Sequence, residues 1–358
     1  MSQPVKLGFV GAGYMGQLAH LEKYWKLPGV ELVALAEGRA KTAALVAKTY
    51  GIASTYRQHR DMLAAADIDA VVAITPFELN AELVEDCLNA GKHIITEKPQ
   101  VNTAAKGHEL AALAERKGLI YQVGYMKRFD PVICWAKQKI GAWAGGDSFG
   151  MLLSLRIWCG GGTWTWFREP ALDGGDEPVK FDARLEPRPG WMSDRAWQEH
   201  IGWINYYSHQ TNLARYLIGE DYRLETVKRR GRSAFVQCSY EPSGAQLYLD
   251  FYYHNCDRWD EGFEVVFERA KLTGRLPAPM AAFSTAEVEA YEFDGRQGRY
   301  ERPSLPSVDG FRSQAARFIA SIRGDEPPLS PAGEAVKEVA FSEQLVKLQM
   351  EQGQFDEA

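Results

Sequence analysis

The chain reads as an α/β protein of two domains: a doubly wound parallel sheet first, then an α/β domain built on an open, largely antiparallel sheet. Three observations predict this. From residue 5 to residue 123, short apolar runs alternate with helix-period segments of about a dozen residues, the pattern of βαβ units. The first apolar run opens directly onto Gly11-Ala12-Gly13-Tyr14-Met15-Gly16, a glycine-rich turn between a strand and a helix. From Met151 onward the texture changes to β-type runs joined by turns such as Pro242-Ser243-Gly244 and Asp294-Gly295. A chain of 358 residues is too long for one typical domain. The boundary is expected at residue 125, with 1–125 binding a dinucleotide and 126–358 serving substrate binding and oligomerisation. The C-terminal helix is free to pack back on the first domain.

Val5–Val10 is a short buried strand and residues 11–16 are its turn, followed by a helix to about Lys26. Gly11 permits the tight turn, Gly13 lets the backbone approach a pyrophosphate, and Gly16 allows close helix packing. The helix N-terminus then offers N–H groups to the anion. A second strand, Val30–Ala36, ends at Glu37, which lies 21 residues beyond Gly16, where an acid accepts from the adenosine ribose hydroxyls. An acid there repels a 2′-phosphate, so NAD is the expected cofactor. Arg39, two residues on, keeps NADP as an alternative; its bland reading is a solvated first-turn arginine.

The alternation continues through helix 39–50, helix 57–65, strand 69–74, helix 79–90, strand 92–95, helix 103–117 and strand 119–123. Two of these strands close in Thr75-Pro76 and Glu97-Lys98-Pro99, where proline forbids continuation. Open parallel sheets bind ligands at the carboxyl ends of their strands. Taken alone, Lys98 is a surface lysine; with three strand ends converging on one crevice it becomes the titratable group placed to act on a substrate.

The glycine turn, Glu97-Lys98-Pro99, and Gly124-Tyr125-Met126-Lys127-Arg128-Phe129-Asp130-Pro131 together resemble the Gfo/Idh/MocA oxidoreductases over residues 5 to about 140. The resemblance implies an N-terminal Rossmann domain, an open antiparallel sheet after it, and hydride transfer at a nicotinamide, usually with a sugar or polyol. It implies that Lys98 contacts the reacting hydroxyl and that the peptide bond before Pro99 is often cis. Cofactor contacts are expected from Gly11, Gly13, Tyr14, Met15, Gly16, Glu37, Arg39, Thr75, Pro76, Asn80, Glu97 and Lys98. Asn80 is itself a departure, standing where many members have histidine.

Residues 160–196 are rich in Gly, Pro, Asp, Arg and Trp without periodicity, too aromatic for disorder. They read either as a satellite core or interface, or as a substrate wall carried by Trp164 and Trp166. Residues 202–219 read as a helix closed by Gly219, with Asn205, His209 and Asn212 on one face. It resembles the family's catalytic helix, in which an aspartate and a histidine stand four residues apart. His209 matches the histidine, whereas Asn205 and Asn212 replace aspartates. An amide takes no proton, so acid–base work passes to Lys98 or His209 while Asn205 orients the hydroxyl. Tyr125, Arg128 and Tyr206 complete the expected substrate set with Lys98, Trp164, Trp166, Asn205 and His209. Strands then follow at 223–230, 234–240, 245–254, 262–269 and 287–293, before helices 310–323 and 331 to about 350.

Lysine at its ordinary value of about 10.4 is a poor base near neutrality. A nicotinamide cation about 5 Å away contributes about 3 kcal/mol toward deprotonation at an effective dielectric of 20, so Lys98 becomes a base with oxidised cofactor bound. The expected function is NAD-dependent hydride transfer to or from a secondary hydroxyl of a sugar or glycoside. One alternative is redox-neutral glycoside cleavage by oxidation, elimination and re-reduction; a lesser one is a non-catalytic dinucleotide-responsive binding protein. A net charge of −6 with scattered basic residues argues against nucleic acid, and no apolar run approaches a membrane span. Five dispersed cysteines and an N-terminus without a signal sequence point to a cytoplasmic protein with reduced thiols and no metal site. A homo-oligomer is expected through the second sheet.

Overall fold

The computed structural model describes residues 3–165, 170–177, 179, 184–281 and 285–355. The chain divides into two compact units, one formed by Met1–Met126, Pro170–Asn205 and Phe311–Glu343, the other by Lys127–Glu169, Tyr206–Gly310 and Gln344–Ala358.

The first unit holds β1 (Val5–Val10), a π-helical turn (Gly16–Leu21) running into α1 (Glu22–Trp25), β2 (Val30–Ala36), α2 (Ala40–Tyr50), β3 (Ser54–Tyr56) and α3 (His59–Ala65). It continues with β4 (Ala70–Ala73), α4 (Asn80–Asn89), β5 (His93–Glu97), α5 (Ala104–Arg116) and β6 (Tyr121–Gly124). All strand pairs are parallel, in the order β3-β2-β1-β4-β5-β6. Alternate residues of each central strand enter two separate cores. Leu7, Phe9, Ala70, Val72 and Ile95 pack on one side with Phe318 and Ile319. Val71, Ala73 and Ile94 pack on the other with Leu83, Val84, Leu110 and Ala335. Burial on both faces is why these strands read as unbroken apolar runs. It also shows that residues 311–343 belong to this sheet: α8 (Gly310–Arg323) supplies Phe318 and Ile319, and α9 (Ala332–Glu351) supplies Ala335.

In the second unit, α6 (Pro131–Ala144) and β7 (Leu152–Cys159) precede β8 (Asp221–Arg230), β9 (Ser233–Glu241), β10 (Gln246–Phe251), β11 (Glu261–Phe267), β12 (Ala270–Leu276), β13 (Glu287–Phe293) and β14 (Gly298–Glu301). The sheet order is β14-β13-β12-β11-β7-β10-β9-β8, antiparallel except for the parallel β10–β7 pair. A largely antiparallel sheet is what the sequence predicted, but the expected strand at 262–269 covers β11 alone, and both β12 and β14 were missed. α6 starts at Pro131, with the Asp130 carboxylate accepting from Val132 N. α7 (Asp194–Ile218) begins well before the expected residue 202.

Candidate active site

The glycine turn has the backbone its fingerprint requires. Gly11 adopts φ +87°, and a Cβ there would stand 2.2 Å from the Ile74 carbonyl oxygen. A Cβ on Gly16 would stand 2.3 Å from the Gly11 oxygen, whereas one on Gly13 would meet nothing within 4 Å. Two glycines therefore close the turn and the third leaves an open approach to its backbone. Tyr14 and Met15 are half-buried and begin the helix.

At the end of β2, Glu37 is 9% exposed and accepts from Ala12 N (2.8 Å), Arg39 N (3.0 Å) and the Arg39 guanidinium (3.0 Å at each carboxylate oxygen). Arg39 Nη2 also donates to the Ala12 carbonyl at 3.0 Å. Burial pushes the Glu37 carboxyl up, but the Arg39 and Ala12 hydrogen bonds outweigh it and hold it below its ordinary value. Arg39 is thus neither a solvated arginine nor a lone cation; it forms a two-point ion pair with Glu37. Beyond β4, Thr75 is half-buried beside the Gly11 turn, Pro76 is exposed, and the Thr75 hydroxyl oxygen is buried with no hydrogen-bond partner among the described residues. An open Gly13 backbone, a carboxylate at the β2 end and an unsatisfied buried hydroxyl fit the pyrophosphate, ribose and nicotinamide portions of NAD or NADP.

Glu97, Lys98 and Pro99 follow β5, and the Lys98–Pro99 peptide is cis. Several hydrogen bonds hold this turn. Glu97 Oε1 pairs with His20 Nε2 at 2.7 Å, and its Oε2 accepts from Lys98 N at 3.1 Å. Gly124 on β6 makes room for the carboxylate, since a Cβ there would stand 3.0 Å from Glu97 Oε1. Lys98 Nζ donates to the Asn205 backbone carbonyl at 2.5 Å. Asn80, expected on the cofactor, is instead 2% exposed and donates to the carbonyls of Pro99 (3.0 Å) and Gln100 (3.2 Å), so it braces the turn from beneath. His20 was not singled out by sequence, although it stands one helical turn beyond Gly16.

Tyr125 lies at the end of β6 and is buried. In the second unit, Arg128 is 2% exposed, with Nε donating to Asn212 Oδ1 at 2.7 Å and its guanidinium 4.8 Å from the Tyr216 ring centre. Arg128, expected in the substrate set, is thus a buried side chain bonded to Asn212 of α7. Its neighbour Lys127 pairs with buried Glu261 at 2.5 Å, a network joined by Gln210. Tyr206 is 65% exposed and His209 half-buried on α7. Trp164 is exposed and Trp166 lies outside the described residues. Trp158 and Trp164 belong to the second unit, while Trp191, Trp197 and Trp203 belong to the first, where Trp197 stacks on His200 and Trp203 is buried. No cluster of potential metal ligands occurs among the described residues.

Residues 5–125 match the family described as "Oxidoreductase family, NAD-binding Rossmann fold". The chain is 27% identical over 224 residues to 4-carboxy-2-hydroxymuconate-6-semialdehyde dehydrogenase of Sphingobium sp., covering 63% of this chain and 62% of that protein. It is 24% identical over 256 residues to scyllo-inositol 2-dehydrogenase (NAD(+)) of Bacillus subtilis, covering 70% and 65%. The matches thus span less than two thirds of these curated relatives. The fold of aldose-aldose oxidoreductase from Caulobacter crescentus superposes with a TM-score of 0.74 at 19% identity, covering 98% of each chain, a likeness of fold alone. The family match is confined to residues 5–125, which carry the glycine turn, and the likeness of the rest of the chain to these proteins is one of fold.

Proposed function

We propose that the protein is an NAD(P)-dependent dehydrogenase acting on a secondary hydroxyl of a sugar, cyclitol or glycoside, in the cytoplasm. The observation that carries this reading is Lys98, set at the carboxyl edge of the parallel sheet by the Asn205 carbonyl and by the Glu97 carboxylate that His20 holds. When bound, the nicotinamide supplies the hydride acceptor. Lys98 Nζ, which donates to the Asn205 oxygen, is in this reading the group that meets the substrate hydroxyl and takes its proton when neutral. Asn205 orients that hydroxyl through its side-chain amide, and His209 is the second acid–base group. The Glu37–Arg39 pair serves the adenosine end; being nearly charge-compensated, it supports NAD while tolerating NADP. Relatives named for inositol and for a hydroxymuconate semialdehyde set the breadth of the test.

The test is a 340 nm assay with NAD and NADP across inositols, free aldoses, aryl glycosides and hydroxylated semialdehydes. One class should produce reduced cofactor, and Lys98→Met should lower its turnover about 10²- to 10⁴-fold while retaining cofactor binding. Near-normal turnover in Lys98→Met would remove Lys98 from the chemistry. Glycoside cleavage without net reduced cofactor would instead support the redox-neutral cycle.

A further inference from the structure

Residues 172–177 are tied to both sides of the dinucleotide crevice. On the glycine-turn side, Gln17 is 1% exposed and bonds the Leu172 backbone in both directions, accepting from Leu172 N (2.8 Å) and donating to Leu172 O (2.9 Å). The same amide group donates to the Ala12 carbonyl at 2.8 Å, so one side chain holds both the glycine turn and the crossing segment. On the Glu37 side, α2 has Arg39 at its N-cap position and no capping side chain of its own. Asp176 caps it from 134 residues away in sequence, accepting from Thr42 N (2.8 Å) and Thr42 Oγ1 (2.9 Å), and from Lys41 N (2.9 Å). Gly174 N donates to Thr42 Oγ1 at 3.0 Å.

The two segments meet closely, and at Gly174 the α2 backbone leaves no room for a side chain. A Cβ on Gly174 would stand 2.5 Å from Lys41 C and Thr42 N, and one on Gly38, next to Glu37, would stand 2.9 Å from Val179 Cγ1. Capping alone requires no such fit, and a loop that merely crossed the surface would not share a buried glutamine with the glycine turn. The segment bridges the rims on either side of the space where the proposed function puts the adenosine and pyrophosphate.

We propose that residues 172–177 are a strap over the adenosine end of the bound dinucleotide, latched by Asp176 on α2, and that its opening limits cofactor release. This rests on the dinucleotide reading above. A nucleotide held between Gly13 and Glu37 leaves only after the Asp176 latch or the Gln17–Leu172 bonds let go, so cofactor exchange is slow relative to an open crevice.

The test uses the full chain stripped of nucleotide, with NADH and NADPH as probes, following binding and displacement by stopped-flow fluorescence. Asp176→Ala should speed NADH dissociation at least tenfold with association changed less than about twofold. Thr42→Val keeps the α2 backbone bonds to Asp176 but removes the hydroxyl shared by Asp176 and Gly174; it should speed dissociation at least threefold and guards against a misfolded first variant. Unchanged dissociation in Thr42→Val and in any folded Asp176→Ala overturns the strap. So does faster association with unchanged dissociation, which would mean that the segment blocks entry. A wild-type chain binding neither NADH nor NADPH overturns the dinucleotide reading and the strap together, whereas tight binding with unaltered variant kinetics overturns the strap alone.

Discussion

Glu97 divides its carboxylate between two partners, His20 on Oε1 and the Lys98 backbone N–H on Oε2, so His20 acts on Lys98 through it. We expect His20→Ala to lower turnover about tenfold or more with cofactor affinity changed less than threefold, and His20→Gln to restore part of the loss because its amide can still donate. Leaving a largely buried carboxylate short of a partner also costs about 1–3 kcal/mol, read as a lower thermal midpoint. A lower midpoint with unchanged turnover would reduce His20 to a structural role. Lys98 and Glu37 were legible in the sequence because proline, glycine and strand patterning mark the strand ends they occupy. His20 was not, because the partner that gives it meaning is 77 residues away. Arg39 was read as a phosphate partner or a solvated residue; what decided its role was the Ala12 carbonyl and Glu37 carboxylate lying within reach of one guanidinium.

Among elements, α6 is fastened to the second sheet through Glu292 of β13, which accepts from Trp143 Nε1 at 2.8 Å, pairs with Lys139 at 2.7 Å and also pairs with Arg299. Burial pushes the Glu292 carboxyl up, but these three donors overcome it and bring it to about 2, against an ordinary value of 4.5. Because the folded value is the lower one, this contribution to stability is full above about pH 4.5 and is lost as pH falls toward 2. Glu292→Gln should therefore lower the thermal midpoint near neutrality and flatten its fall between pH 4.5 and 2; an unaltered acid limb would refute the linkage. The start of α6 was written locally, in Asp130 and Pro131, yet those residues were read only as part of a motif. The earlier start of α7 had a signal too, since Ser193 Oγ accepts from Ala196 N as a helix cap. β12 was missed for a different reason: it follows β11 through Glu268 and Arg269, without the glycine or proline that marks other turns.

For the whole molecule, the eight-stranded sheet has one face buried under helices, where Tyr222 and Tyr240 hydroxyls donate to α7 carbonyls. Its other face leaves Trp158, Phe235, Tyr248 and Tyr291 partly or fully accessible, with Phe235 and Tyr248 stacked at 6.1 Å. Aromatic rings spread over an open sheet favour a homo-oligomer formed on that face. Light scattering should give a multiple of the monomer mass for the native chain and the monomer for Phe235→Glu combined with Tyr248→Glu. A monomeric native chain, or an unaffected double variant, would rule this face out. No described helix is long and apolar enough to cross a membrane.

The sequence by itself determined the parallel first sheet, its glycine turn and the strand ends where Glu37, Thr75 and Lys98 stand, because βαβ units are written in local periodicity and punctuation. The change to a mostly antiparallel second sheet was likewise legible in its texture. Tertiary structure alone decided what those side chains touch: His20 against Glu97, Arg39 against Glu37, Arg128 against Asn212, and Asp176 at the start of α2. Apart from the Arg39–Glu37 pair, two positions apart, such contacts join residues 77 to 134 positions apart, and no periodicity records them. They depend on how the chain, after leaving the first unit at Met126, returns to it at Pro170 and again at Phe311.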